Sequence, residues 1–167
     1  MELGKIVKVG SCAIGCDWAL SDNDYAVIEA GDGDDWKSIV NERISPDSHI
    51  YHYPLGYIEK VSKFEVDDWS WIYNAVNFKA GLIDVNPLEY RDKWIKKLKA
   101  VDWRNEPYFY LNRQNKHFKK RFYHIVYNVE VLKKGFENVD IERISKFHHC
   151  RASEDDFNEV LLEIVSL

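Results

Sequence analysis

No stretch of this 167-residue chain stays apolar for the roughly 18 residues that a membrane-spanning helix requires. The opening segment, Met1-Glu2-Leu3-Gly4-Lys5-Ile6-Val7-Lys8-Val9, is broken by charge and lacks the apolar run of a secretory signal. Cysteine is sparse and odd in number, with Cys12, Cys16 and Cys150 alone. That excludes a fully paired disulfide framework and fits a reducing compartment, so a cytoplasmic location with no membrane partner is expected. Internal repeats, low-complexity tracts and linkers rich in Ser, Gly or Pro are missing too, which favours a single domain over residues 1–167.

Signatures of common chemistry are equally absent. There is no Gly-rich phosphate loop, no H-E-x-x-H, no telling pair of carboxylates, and no Ser or Cys in the setting of a nucleophile. The six histidines, His49, His52, His117, His124, His148 and His149, are scattered, and each reads as structural. These absences weigh against an enzyme without excluding one.

Aromatic residues and sorted charge are what the chain does have. Six Trp, ten Tyr and eight Phe make up 14% of the residues, enough apolar area for a core with rings left over for stacking. The net charge of −5 conceals a strong division. Residues 1–90 hold seven Lys and Arg against sixteen Asp and Glu, a balance of −9. Residues 91–135 hold thirteen against four, or +9, and residues 136–167 hold three against eight, or −5. A block of one sign implies a partner of the other, provided folding gathers it on one surface.

The pattern of residues predicts an α+β fold: a curled antiparallel sheet or small β-barrel with two or three helices packed on it. Ile6–Val9, Tyr25–Glu29, His49–Tyr53 and Tyr57–Val66 read as strands. The segment Asp67–Val76 fits a helix or a strand, with the helix favoured by the stripe Trp69, Ile72, Tyr73 and Val76. Asn86-Pro87-Leu88-Glu89 opens a helix to about Ala100, with Trp94, Ile95 and Leu98 on its apolar arc and Lys93, Lys96, Lys97 and Lys99 opposite. Arg91 falls inside the apolar arc and is expected to snorkel. Tyr108–Leu111 and Phe118–Leu132 read as two strands around a polar turn, the second because Tyr123, Ile125, Tyr127, Val129 and Val131 alternate with His124, Asn128 and Glu130. A capping box, Ser153-Glu154-Asp155-Asp156, starts a last helix whose stripe is Phe157, Val160, Leu161 and Ile164.

Three constellations bear on function. The first is basic: Arg113, Lys116, Lys119, Lys120 and Arg121 at the hairpin turn, with Lys96 and Lys97 on the preceding helix. Such cations neutralise phosphates, and Tyr110 and Phe118 offer rings for bases to stack on. The plain alternative is a solvated hairpin whose lysines discourage edge pairing. The second is Cys12-x-x-x-Cys16 with His148 and Cys150, a possible structural zinc site of three thiolates and one imidazole, against which stands the ordinary burial of cysteine in cores. The third is acidic: Asp32, Asp34 and Asp35, with Asp17, Asp22 and Asp24 nearby, able to hold Mg²⁺ for phosphate chemistry or to dock on a basic protein.

Arg151-Ala152-Ser153-Glu154-Asp155-Asp156-Phe157 resembles the ending of PUA-like modules, which pair a small β-barrel with helices and bind modified bases. The likeness covers those residues alone and assigns no site residue. The expected function is therefore a non-enzymatic module for nucleic acid or a nucleotide, through the basic segment 91–134. The first alternative is an acidic inhibitor or immunity-type protein that blocks a basic protein partner. The second is a metal-dependent nuclease or phosphodiesterase.

Overall fold

The computed structural model describes residues 1–16, 22–67, 69–106 and 121–167. The fold is α+β. The chain divides into two compact units, Met1–Glu89 and Tyr90–Leu167. Among the described residues no helix is long and apolar enough to cross a membrane.

The first unit is built on four strands: β1 (Val7–Val9), β2 (Asn23–Glu29), β3 (Val40–Ser45) and β4 (Ser48–Pro54), in the order β1-β2-β4-β3. β1 runs antiparallel to β2, and β3 and β4 form an antiparallel hairpin around Pro46 and Asp47. β4 returns between β2 and β3, which sets it parallel to β2. The described sheet is thus mixed and not closed, where a curled antiparallel sheet or small β-barrel was expected. The described strands do not close into the barrel that the PUA-like resemblance implies.

Helices α1 (Leu55–Ser62) and α2 (Asn74–Lys79) complete this unit. The strand expected over Tyr57–Val66 is α1 and the bend after it. Tyr57, Ile58 and Val61 are buried at helical spacing while Glu59 is exposed. Gly56 makes the tight entry possible: its N–H donates to the Gly31 carbonyl at 3.0 Å, and a Cβ there would sit 3.1 Å from the Gly33 oxygen. By register Val9, Ala26, Ile28 and Tyr53 share one sheet face, all buried, and Tyr53 stacks on Tyr57 of α1 with centroids 6.1 Å apart. The segment 69–79 is helical, as its stripe favoured: a 3₁₀ turn over Trp69–Tyr73 leads into α2. Phe64, at φ +54°, stacks on Phe78 and tilts against Trp71, and this packing holds a backbone conformation that a bulky side chain rarely adopts.

The second unit holds α3 (Arg91–Ala100), α4 (Tyr123–Lys134), α5 (Ile141–His148) and α6 (Glu154–Ser166). The expected strand Phe118–Leu132 is overturned, because residues 123–134 form α4. Apart from His124, every residue from Tyr123 to Leu132 is buried. A helix covered on all sides has no wet face, so the alternation of its β-branched and polar residues carried no information about strand geometry. Phe122, Phe147 and Phe157 meet ring to ring at 4.7–5.6 Å and join the start of α4 to α5 and α6. Each ring buried this way stabilises the unit by about 1.5–3 kcal/mol. The capping box of α6 is present as expected: Ser153 Oγ accepts from the Asp156 amide, and Asp156 accepts from the Ser153 amide. Phe157, Val160 and Ile164 are buried and Leu161 half-buried.

Candidate anion-binding face

The Asn86 cap is in place, its Oδ1 accepting from the Leu88 amide at 3.2 Å, and a 3₁₀ turn over Pro87–Tyr90 leads into α3. Trp94 and Leu98, one turn apart, are buried, and the Trp94 indole N–H donates to Asn128 Oδ1 of α4 at 2.8 Å. That anchor fixes the rotation of α3 and leaves Lys93, Lys96 and Lys99 exposed, with Lys97 half-buried. Arg91 does snorkel, but to a specific acceptor: its guanidinium donates to the Leu132 carbonyl in the last turn of α4 at 3.2 Å.

Arg91, Asp92, Ile95, Lys96, Lys99 and Ala100 line, with Leu167, a shallow open depression of about 560 Å³. Among the described residues, Lys96 and Lys99 form no ion pair. Ile95 and Ala100 add apolar lining to the three cations, and Asp92 adds a carboxylate.

Three other cations of the block are engaged elsewhere in the second unit. Lys133 pairs with Glu163 at 2.8 Å and Lys134 with Glu130 at 2.7 Å. Arg104 donates to Asn158 Oδ1 at 3.0 Å. Arg121 is half-buried just ahead of α4. Tyr110, Arg113, Lys116, Phe118, Lys119 and Lys120 lie outside the described residues. The hairpin on which they were expected loses its second arm to α4.

Among the described residues the acidic ones form no group that could hold a metal ion. Asp34 pairs with Lys60 at 2.6 Å, and that hydrogen bond holds its carboxyl below the usual aspartate range. Asp35 caps a 3₁₀ turn, Oδ1 accepting from the Lys37 and Ser38 amides at 2.9 and 3.2 Å. Asp32 is exposed. Cys16 is fully buried with Sγ 4.0 Å from the Ile14 carbonyl, Cys12 Sγ lies 3.9 Å from the Asp22 carbonyl, and Cys150 Sγ 4.0 Å from the His148 carbonyl. His148 is buried with its ring edge-on to Tyr123. Among the described residues no group of three or more His, Cys, Asp or Glu could hold a metal ion. The Asp32, Asp34 and Asp35 set does not form one, and of the expected zinc ligands Cys12 and Cys16 belong to the first unit and His148 and Cys150 to the second.

Two charged clusters escaped the sequence. His52 on β4 bridges its neighbours across the sheet, Nδ1 to Glu29 of β2 at 2.9 Å and Nε2 to Glu42 of β3 at 3.4 Å. Its pKa is raised, mainly by the Glu29 hydrogen bond, with Glu42 adding to it. Only strand register brings these three together, and no local spacing signals it. In the second unit Glu130, with no exposed side-chain surface, accepts from Lys134 at 2.7 Å, from the Asp140 amide at 3.0 Å and from Arg143 at 2.8 Å. Burial works against its charge, yet these donors outweigh burial and hold the carboxyl below its ordinary pKa.

Comparison with protein-family models, curated proteins and solved structures found no match for this chain.

Proposed function

We propose that this protein is a non-enzymatic binding module for a phosphate-bearing ligand, a nucleic acid or a nucleotide, and that α3 supplies the binding face. The observation that carries the reading is the exposed pair Lys96 and Lys99, one turn apart, unpaired among the described residues and beside Arg91 at an open depression with apolar surface. Phosphates meet the ammonium groups, and the planar or apolar part of the ligand lies over Ile95 and Ala100. The second unit as a whole has sixteen Lys and Arg against twelve Asp and Glu, a balance of +4 that favours approach of an anion.

A titration of labelled single-stranded oligonucleotide across salt concentrations tests this. Affinity should fall steeply as salt rises. Changing Lys96 and Lys99 together to Ala should flatten the log–log slope by about 1.4, roughly 0.7 for each phosphate of a single strand no longer neutralised, while the melting temperature stays put. Unaltered affinity and slope in the double variant would remove the reading. The triple change of Lys119, Lys120 and Arg121 to Ala, run beside it, asks whether the preceding segment adds to the same site.

A second reading rests on the first unit, whose balance of −9 over Met1–Glu89 suits a basic protein partner. Capture of a protein from the source organism, sensitive to Asp32 and indifferent to Lys96 and Lys99, would favour this inhibitor-type role instead.

A further inference from the structure

β3 ends the sheet and pairs with β4 alone among the described strands. All six of its residues are exposed. Natural edge strands are usually blunted by Lys, by Pro, by a bulge or by a covering element, because a bare row of N–H and C=O groups invites another strand. β3 contains no Lys and no Pro, and its register shift comes only at the far end, between Arg43 and Ser45. Its one base, Arg43, is turned back on the hairpin, donating to the Ser45 and Pro46 carbonyls at 3.2 and 2.8 Å.

The side chains of this edge are unusual for a surface that meets only water. Val40 (61% exposed), Glu42 (62%) and Ile44 (53%) alternate along one sheet face, and Trp36, 51% exposed, stands just upstream. Residues 29–47 hold six Asp and Glu against two Lys and Arg.

We infer that the outer edge of β3 takes up an extended segment of a partner protein as an added strand, and that this segment alternates apolar with basic side chains. Main-chain hydrogen bonds supply the generic attraction in such strand addition, and alternate side chains select the sequence. Apolar residues of the incoming segment face Val40 and Ile44, and Lys or Arg faces Glu42, the favoured cross-strand pairings. The same geometry argues against a second copy of this chain. The antiparallel self-pairing that sets Val40 opposite Ile44 is centred on Glu42 and places that carboxylate opposite itself, a destabilising match. The inference is independent of the α3 reading.

A fluorescein-labelled peptide of alternating Val and Lys, titrated against the full chain, is the direct test. Two control peptides accompany it: one N-methylated at alternate backbone nitrogens, and one with Glu in place of Lys. Binding of the parent at least tenfold tighter than of either control is the expected result. Glu42→Lys should reverse the preference between the Lys and Glu peptides, and Ile44→Asn or, separately, Val40→Asn should weaken the parent at least fivefold. Far-UV circular dichroism confirms that each variant is folded. Equal binding of parent and N-methylated peptides overturns the inference. So does a dimer of the unaltered chain in sedimentation that Ile44→Asn dissolves, since the edge then belongs to a second copy.

Discussion

Glu130 keeps its charge without water because Lys134, Arg143 and the Asp140 amide stand where water would. Removing one member of a buried ion pair strands the rest, at a typical cost of about 3–5 kcal/mol. Glu130→Ala should therefore lower unfolding free energy by about 3 kcal/mol in urea titration, the low end because Arg143 retains Glu163 at 2.9 Å. Asn128 has a smaller role of the same kind, accepting from Trp94 and donating to the His124 carbonyl at 2.7 Å. Asn128→Leu leaves the indole N–H without its acceptor and should cost about 1–3 kcal/mol. Neither residue was legible as a core group. Glu130 follows Val129 in an alternating run, so it looked like the wet side of a half-buried strand, and its partner Arg143 is 13 positions away. Ser153 was legible because a cap and its reciprocal carboxylate are three residues apart and need no tertiary information.

At the level of elements the same contrast holds. α3 and α6 announced themselves through caps and one-sided stripes, and both formed near the expected bounds. α1 and α4 carry strand-like patterns instead. α1 is short and rich in residues that suit either state, and α4 is enclosed on every side, which erases the period a surface helix displays. For α6 the cap accounts for a measurable share of stability. Ser153→Ala should cost about 1 kcal/mol, read as a lowered urea midpoint with an unchanged slope. Ser153→Gly should cost only a few tenths of a kcal/mol.

For the molecule as a whole, charge and structure divide at the same place. The change of sign in the sequence falls at residues 90 and 91, and the two units meet at Glu89 and Tyr90. The charge blocks were legible in the chain itself; how far the basic one is spent on internal pairs, at Lys133 and Lys134, was not, because the answering carboxylates come from the fold. Those pairs also set the response to pH. Glu130 has a folded pKa below its ordinary 4.5, and Asp156, opposed by burial but held by Lys146 and the Ser153 amide, is lowered to about 2. A depressed carboxyl contributes stability that is complete above the ordinary value and disappears as pH falls through the folded one. Stability should therefore decline below about pH 4.5, less so in Asp156→Asn. His52 works in the other direction. Its raised value makes its contribution complete below 6.5 and lost as pH climbs through the folded pKa. Melting temperatures across that range should drop slightly for the parent and not for His52→Gln.

The enclosure of α4 carries one more consequence. A uniformly greasy rod among other helices can spin about its own axis and find several comparable resting angles. Asn128 and Glu130 act as a key on that rod, since each meets its partners at one angle only. Replacing both with Leu should leave a compact protein whose methyl NMR signals broaden and multiply. A spectrum as sharp as that of the parent would mean that ring packing alone locks the helix.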